Sequence, residues 1–301
     1  MNVRAQISTV IVNYNAGGLL LDCVLQAVAQ TSLVVVVDNA STDTSIVELK
    51  RHFADENCLK IIQLNENKGF AAGCNIGLSV TTTPFILFIN PDCRLSQGAV
   101  ARLYQVIEAD ERAGMAGGRL LNPDGSEQGG SRRAMPTPWR ALVRAVGLYR
   151  LARFFPNLFF DFHLHRQPLP VAPVEVEAIS GALMLVRREA IEEVGQWDED
   201  YFLHCEDLDW CMRFRQKNWK ILFVPDVEVL HHQGACSHTR PFFVAWHKHK
   251  GMLRFYRKFF LGRYPIVLAW LVSIGVWLRF TAVVIVNGMF YLLRVLGVRH
   301  G

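Results

Sequence analysis

The chain has 301 residues, 51% of them hydrophobic, enough for one large or two small cores. Its formal net charge of +5 is uneven: Lys and Arg gather in residues 132–166 and 248–263, interleaved with Trp, Phe, Leu and Tyr, as suits an anionic lipid surface and could suit nucleic acid. The seven cysteines (Cys23, Cys58, Cys74, Cys93, Cys205, Cys211, Cys236) are odd in number, lack CxxC spacing and lie partly inside apolar runs, which argues against a disulfide framework or a structural zinc site and for a reducing compartment.

In chain order, residues 8–12, 33–37, 59–64 and 85–89 predict buried strands, each a short β-branched apolar run closed by polar turn residues. The first leads straight into Asn13-Tyr14-Asn15, too short a run for a signal peptide, so the catalytic part is expected in the cytosol. Helices are expected between the strands, over 18–29, 44–53 and 71–79. This alternation is an α/β signature, and ligands of such sheets bind beyond the carboxyl ends of the strands.

The residues after those strand ends carry the chemistry. Val37-Asp38-Asn39-Ala40-Ser41-Thr42-Asp43 places a carboxylate before small polar residues, which suits a base or ribose and equally suits a capped turn. In residues 65–77, glycines at four-residue spacing allow a helix to approach closely, and Lys68 is a point charge suited to phosphate. Neither GxGxxG nor GxxxxGK[ST] is present, so the dinucleotide and P-loop fingerprints are absent. Asn90-Pro91-Asp92 ends the fourth strand and aims two oxygen-bearing side chains at one place, as a hard cation such as Mg²⁺ or Mn²⁺ requires.

Residues 99–234 read as mixed α+β, with strands over 180–186 and 220–224 and a helix over 206–218 closed by Asn218 in a left-handed cap. Residues 135–173, rich in Pro and aromatics, are expected to form a mobile insertion. The sharpest constellation is Trp197-Asp198-Glu199-Asp200-Tyr201-Phe202-Leu203-His204-Cys205-Glu206-Asp207-Leu208-Asp209-Trp210. Glu206, Asp207 and Asp209 open a helix, more carboxylates than capping needs, and a crowded one can serve as a general base. Asp209 lies roughly 200° round the helix from Asp207, so only one of them can face a substrate. His231 and His232 follow the strand end after Pro225, where imidazole is an additional ligand candidate.

From 266 to 293 the only charged residue is Arg279. It divides the stretch into halves of the length that suits interfacial or re-entrant segments, and an Arg at mid-bilayer costs roughly 2.5–3.5 kcal/mol. Helices lying in one leaflet are therefore expected, with Lys248, Lys250, Arg254, Arg257, Lys258 and Arg263 on the headgroups.

Taken in order, Val12-Asn13-Tyr14-Asn15, Val37-Asp38-Asn39-Ala40-Ser41, Asn67-Lys68-Gly69-Phe70, Asn90-Pro91-Asp92, Ser180-Gly181-Ala182 and Glu206-Asp207-Leu208-Asp209 resemble the family-2 glycosyltransferases. The likeness covers residues 9–237, and it is strongest to rhamnosyltransferase-like members that build bacterial surface polysaccharides. It implies a GT-A α/β fold, a Rossmann-like sheet with helices on both faces; the C-terminal membrane-associated helices lie outside the likeness and are expected from the apolar and basic composition of the tail. Residues 1–98 would bind the nucleotide sugar, 99–240 would complete the same domain with acceptor and catalytic groups, and 241–301 would form the membrane tail.

The resemblance further implies a donor site of Asn13, Asn15, Asp38, Ser41, Lys68, Gly69, Asn75 and Asn90, with Asp38 at the nucleotide base. It implies a divalent cation, Mg or Mn, on Asp92 and His231. Asp207 would be the base, supported by Glu206 and Asp209, with Gly181, Trp197 and Asp198 at the acceptor. Asn90 replaces the first Asp of the usual DxD, and His204 stands where relatives often have Tyr. The implied reaction is inverting transfer from a nucleotide diphospho-sugar, with dTDP-rhamnose a candidate, to a glycan or polyprenyl-diphosphate-linked acceptor. It would occur at the cytoplasmic face of the inner membrane, peripherally or re-entrantly, with no nucleic-acid partner. The rival is a non-catalytic nucleotide-sugar-binding protein at the membrane, disfavoured because a binding module needs no base; a nicotinamide oxidoreductase is disfavoured by the missing GxGxxG.

Overall fold

Apolar β-branched runs send side chains alternately to both sides of a strand, so they need cover on both faces. The computed structural model, which describes residues 2–53, 57–145, 147–155, 158–159, 162, 164–232, 234 and 240–295, supplies that cover with helices. Cys236 and Ser237 lie outside the described residues.

The chain opens β1 (Ile7–Asn13), α1 (Leu19–Gln30), β2 (Leu33–Asp38), α2 (Ser45–His52), β3 (Leu59–Gln63), α3 (Phe70–Ser79) and β4 (Phe85–Ile89). These four strands are parallel in the order β3-β2-β1-β4, as the strand–helix alternation requires. α3 lies so near β1 that a Cβ on Gly77 would stand 2.4 Å from Val10 Cγ1. The four-residue glycine spacing therefore serves sheet contact.

Next come β5 (Cys93–Leu95), α4 (Ala99–Glu108), β6 (Ala113–Leu121), β7 (Arg132–Arg133), α5 (Pro138–Ala145), β8 (Val174–Glu175), β9 (Ala178–Ile179), β10 (Leu183–Arg187), α6 (Arg188–Val194), α7 (Glu206–Gln216) and β11 (Lys220–His231). They extend the sheet to nine strands in the order β3-β2-β1-β4-β10-β6-β11-β5, with β8 on β11, while β7 and β9 form a separate ribbon. Among its described residues, the expected insertion holds α5 and two short 3-10 turns. Asn218 takes the left-handed φ of 60° expected of a cap.

Two apolar layers sandwich the sheet. One joins Ile7, Ile11 and Leu87 to α1 and α4; the other joins Val10, Phe88 and Met184 to Ala71, Trp197, Trp210 and Phe214. Burying one such large side chain contributes about 1.5–3 kcal/mol.

Three expectations change. The strand expected to stop at residue 224 continues to His231 through a register shift between Val224 and Glu228, because Pro225 has no N–H to give the ladder yet does not end it. His231 is thus paired across from Cys93 on β5, inside the sheet and not beyond it. The tail is not two short pieces: α8 (Pro241–Phe260) is followed by one continuous helix, α9 (Ile266–Val295). Finally, α8 turns part of its basic side inward: Ala245, His249, Leu253, Phe255, Tyr256, Phe259 and Phe260 are buried and Arg254 and Lys258 are paired with acids, while Lys248, Lys250, Arg257 and Arg263 are exposed.

Candidate active site

Parallel pairing sets Asn13 opposite Asp38, at the carboxyl ends of β1 and β2. Asn13 Nδ2 lies 2.9 Å from Asp38 Oδ1 and 3.0 Å from both Ser41 Oγ and Ser45 Oγ, and the Ser41 hydroxyl donates to Asp38. Asn15 Oδ1 accepts from the amides of Thr42 (2.8 Å) and Asp43 (3.2 Å), so the two loops are laced together. Asn15 and Ala40 hold left-handed φ of 54° and 59°, strain of the kind that gathers at functional loops.

Asn39, not singled out from the sequence, ties in the third loop: its Nδ2 donates to Gly69 O at 3.0 Å and its Oδ1 accepts from Lys68 N at 3.3 Å. Gly69, at φ 89°, is required, because a Cβ there would stand 2.6 Å from Phe202 O. That carbonyl accepts the Phe70 N–H at 3.0 Å, which brings this loop onto the acid-rich segment. The Lys68 side chain is exposed beside it.

The antiparallel β5–β11 pair carries a second cluster. Asp92 Oδ1 stands 3.3 Å from His231 Nε2, Asn90 Nδ2 stands 3.4 Å from the same nitrogen, and all three lie at the end of β4 and β11. Gln128, which sequence reasoning missed, sets the imidazole. Its Nε2 donates to His231 O at 2.7 Å, which turns Oε1 toward Nδ1 at 2.8 Å, and an amide oxygen can only accept. Nδ1 is therefore the protonated nitrogen, and Nε2 faces the Asp92 carboxylate as a second acceptor. Two acceptors so close need a cation or a further proton between them, so the pair fits a divalent ion, with Gln128 as the outer partner that orients a histidine ligand. Cys93 falls in the same cluster, where burial, first among causes, pushes its thiol well up.

The third cluster surrounds Asp207 on the first turn of α7. Asp207 Oδ2 is paired with Arg133 and accepts Gly181 N–H at 3.3 Å, while Oδ1 accepts Leu208 N–H at 2.8 Å. Arg133 also donates to Ile179 O at 3.2 Å, so the β7–β9 ribbon exists beside this carboxylate and holds it. The turn Ser180-Gly181-Ala182 joins clusters two and three: Asn90 N donates to Ala182 O at 3.0 Å, one residue from the amide on Asp207.

Immediately before α7, His204 and Cys205 take φ of 68° and 73°. Consecutive left-handed non-glycine residues cost roughly 1–2 kcal/mol each. The turn is clamped by α8, where a Cβ on Gly251 would meet His204 O at 2.7 Å. Burial, then the Lys248 charge, push His204 down to about 4, leaving it neutral at physiological pH.

The remaining expected residues divide. Gly181 lies against Asp207, where a Cβ would be 3.3 Å from that of the acid. Glu206 is 8% exposed, and burial with the adjacent Asp207 charge raises it far above the usual carboxylate range. Asp209 does not face a substrate: fully buried, it is bound by Arg213 at 2.7 Å and Lys258 at 2.7 Å. Asn75 is not free for a donor, since its amide donates to Trp197 O (3.0 Å) and Glu199 (2.8 Å) and accepts Trp197 N–H (3.1 Å). Trp197 is itself core, 4.1 Å from Trp210 between ring centroids. Asp198 is engaged by Arg254 at 3.0 Å and Lys258 at 2.6 Å. These three brace the site.

Residues 8–195 match the model of the family described as glycosyl transferase family 2. A curated relative, N-acetylglucosaminyl-diphospho-decaprenol L-rhamnosyltransferase of Mycobacterium tuberculosis, is 27% identical over 219 residues, 69% of each chain. The dTDP-rhamnosyl transferase RfbF of Shigella flexneri is 26% identical over 234 residues, 76% of this chain and 70% of its own. Among solved structures, a mannosyltransferase from Pyrobaculum calidifontis, in complex with GDP-Man and Mn²⁺, superposes with a TM-score of 0.58 at 16% identity, over 95% of this chain and 76% of that one. The likeness shows a GT-A fold. The family match stops at residue 195, before Asp207.

Proposed function

The chain belongs to glycosyl transferase family 2, and on that premise we propose that it transfers a hexosyl group, with inversion, from a nucleotide diphospho-sugar to a glycan or lipid-linked acceptor at a membrane surface. The observation that carries this is the Ser180–Ala182 turn. Its Gly181 N–H donates to the Asp207 carboxylate and its Ala182 carbonyl accepts from the Asn90 N–H, so adjacent residues of one turn tie the Asp207 cluster to the Asn90/Asp92/His231 cluster. The names of the mycobacterial and Shigella relatives support a dTDP-rhamnose-type donor and a polyprenyl-diphosphate-linked acceptor.

In this reading the laced loops of Asn13, Asn15, Asp38 and Ser41 receive the nucleoside, with Asp38 fixing the loop that meets the base. Asp92 and His231 would hold a divalent ion, which when bound would supply charge neutralisation on the leaving diphosphate. Asp207, oriented by Arg133 and the Gly181 amide, accepts the proton of the acceptor hydroxyl. As that oxygen bonds to the anomeric carbon, the bond from carbon to the diphosphate oxygen breaks on the opposite face, and the nucleoside diphosphate departs with the electron pair. One in-line displacement inverts the centre, with no carboxylate nucleophile.

Membrane attachment rests on α9. Its segment Ile266–Met289 is 24 residues long with a mean hydropathy of 2.0, and an 18-residue stretch within it is only 6% buried. α8 and α9 run antiparallel, with Trp246 against Trp277 at 5.4 Å, so a perpendicular span would draw Lys248 and Lys250 into the hydrocarbon. The pairing supports an interfacial helix that sinks Trp270, Leu271, Ile274 and Leu278 into one leaflet.

The test separates the two chemical roles. Asp207→Asn should lower transfer by about 10²–10⁴-fold and keep metal-dependent donor binding. Asp92→Ala should lose donor affinity and turnover together. Equal donor affinity in excess chelator would remove the metal from this reading, and near-normal turnover by Asp207→Asn would remove the base.

A further inference from the structure

Arg279 is the only charged residue in Ile266–Met289, and nothing in the transfer chemistry uses it. Its place on α9 is on the side toward α8. Val276, one turn earlier, is the buried residue of the segment, and the next residue, Phe280, stands 5.4 Å from His249 and 5.7 Å from Trp246 between ring centroids. Level with it on α8 is Lys248, one turn before Gly251, the residue that abuts the His204 carbonyl. Its neighbour His247 stacks on Phe202 at 4.5 Å. Lys248 thus stands where α8, α9 and the turn before Asp207 meet.

Among the described residues, no carboxylate pairs with Lys248 or with Arg279, whereas Arg254 and Lys258, further along α8, are held by Asp198, Asp200 and Asp209. Asp207, whose charge acts on Lys248, is already paired with Arg133. Desolvation and then the Arg279 charge lower Lys248, with the Asp207 carboxylate acting the other way, so the two cations lie in each other's field. Both side chains are exposed, so an anion can reach them, and one that joined them would offset the repulsion between two like charges on separate helices.

We infer that Lys248 and Arg279 bind the diphosphate of a lipid-linked acceptor, holding it between the apolar face of α9 and Asp207; this rests on the lipid-linked acceptor reading above. The chemistry of the three parts matches that ligand in order. The isoprenoid lies along the exposed face of α9 beside Trp277 and Leu278, the diphosphate meets Arg279 and Lys248, and the sugar continues past His204 to the base. A guanidinium with an ammonium is a donor set suited to diphosphate oxygens.

Full-length protein in dodecyl maltoside with excess EDTA, so that Asp92 and His231 cannot hold a diphosphate through a metal, should bind farnesyl diphosphate on the order of tenfold more tightly than farnesol. The Lys248→Gln/Arg279→Gln double variant should lose that preference, and Arg279→Lys should keep most of it. Thermal unfolding and metal-dependent donor binding should not move. If the double variant keeps the diphosphate preference, the inference is overturned. It is also overturned if the variant instead loses only its preference for phosphatidylglycerol over phosphatidylcholine vesicles, since the pair then serves bilayer headgroups. If the wild type binds donor with metal yet shows no diphosphate preference, the inference fails while sugar transfer stands; loss of donor binding as well would count against the transferase reading itself.

Discussion

α8 and α9 are sequence neighbours, one basic and aromatic and the other almost wholly apolar, and they do opposite things. α8 turns its apolar side and two of its cations inward, with Lys258 reaching both Asp198 and Asp209 and Gly251 against His204. α9 leaves Ile266, Val267, Trp270, Leu271 and Leu278 more than half exposed. A basic helix beside an apolar one suggests a joint membrane anchor. The partners tell otherwise: α8 is the last structural piece of the catalytic body, and α9 is the part with unspent apolar surface.

The strongest way to break this division is by truncation. A chain ending after Tyr264 keeps α8 and should remain folded, bind donor with metal and hydrolyse it, while losing its association with vesicles. A chain ending before Pro241 removes the clamp on the His204-Cys205 turn and the Lys258 pairs, and should show no measurable transfer or hydrolysis. Size-exclusion behaviour, vesicle flotation and donor turnover together decide it. Equal activity of the two would dismiss α8 as part of the catalytic body.

Next in size is the contrast between two buried acids on the first turn of α7. Asp209 is matched by Arg213 and, from α8, by Lys258, so Asp209→Asn should destabilise the fold by about 3–5 kcal/mol through the cations it strands. Glu206 has no such cation. Burial, then the Asp207 charge, hold it protonated far above its unfolded range, so folding takes up a proton at neutral pH. The associated penalty is absent below the unfolded pKa, grows as pH rises through it and levels off above the raised folded value. Glu206→Gln should therefore stabilise the protein by about 1 kcal/mol or more at pH 7, with the advantage vanishing near pH 4. Denaturant melts at the two pH values check both signs; a destabilised Glu206→Gln at pH 7 would mean that the carboxylate is ionised and paired.

Much of this was legible in the sequence, for physical reasons. The β1–β4 half follows from local patterning, because a parallel strand must be apolar and its polar end residues must face the ligand side. The Asp207 cluster was visible because three acids among aromatics are too many for a cap. What escaped were partnerships across long sequence separations. Gln128 and Arg133 sit in a stretch without periodicity, and only the β11 extension past Pro225 and the β7–β9 ribbon give them their roles. Asn75, Trp197 and Asp198 show the complementary ambiguity: residue types that can touch a ligand are equally able to brace one segment against another, and the bonds that these three make were not legible in the sequence. The cations of α8 carried the same ambiguity.

The finest test of the two helices uses glycine. In open helix, Gly→Ala gains roughly 0.5–1 kcal/mol, because alanine surrenders less backbone entropy. At Gly275 of α9 a Cβ meets nothing within 4 Å, so Gly275→Ala should gain about that much helix stability and leave turnover alone. At Gly251 of α8 the same Cβ falls 2.7 Å from the His204 carbonyl oxygen, a backbone atom that cannot swing aside like a side-chain tip. Overpacking of this kind costs about 1–3 kcal/mol, which exceeds the propensity gain. Gly251→Ala should therefore lower the melting temperature. Because the displaced atom belongs to the strained turn that leads into Asp207, kcat should fall more than donor affinity does. Melts in detergent and single-turnover transfer for the two variants give four signs. If Gly251→Ala were as benign as Gly275→Ala, the close contact between α8 and the catalytic turn would not exist, and the division drawn between the two helices would fail at its nearest point.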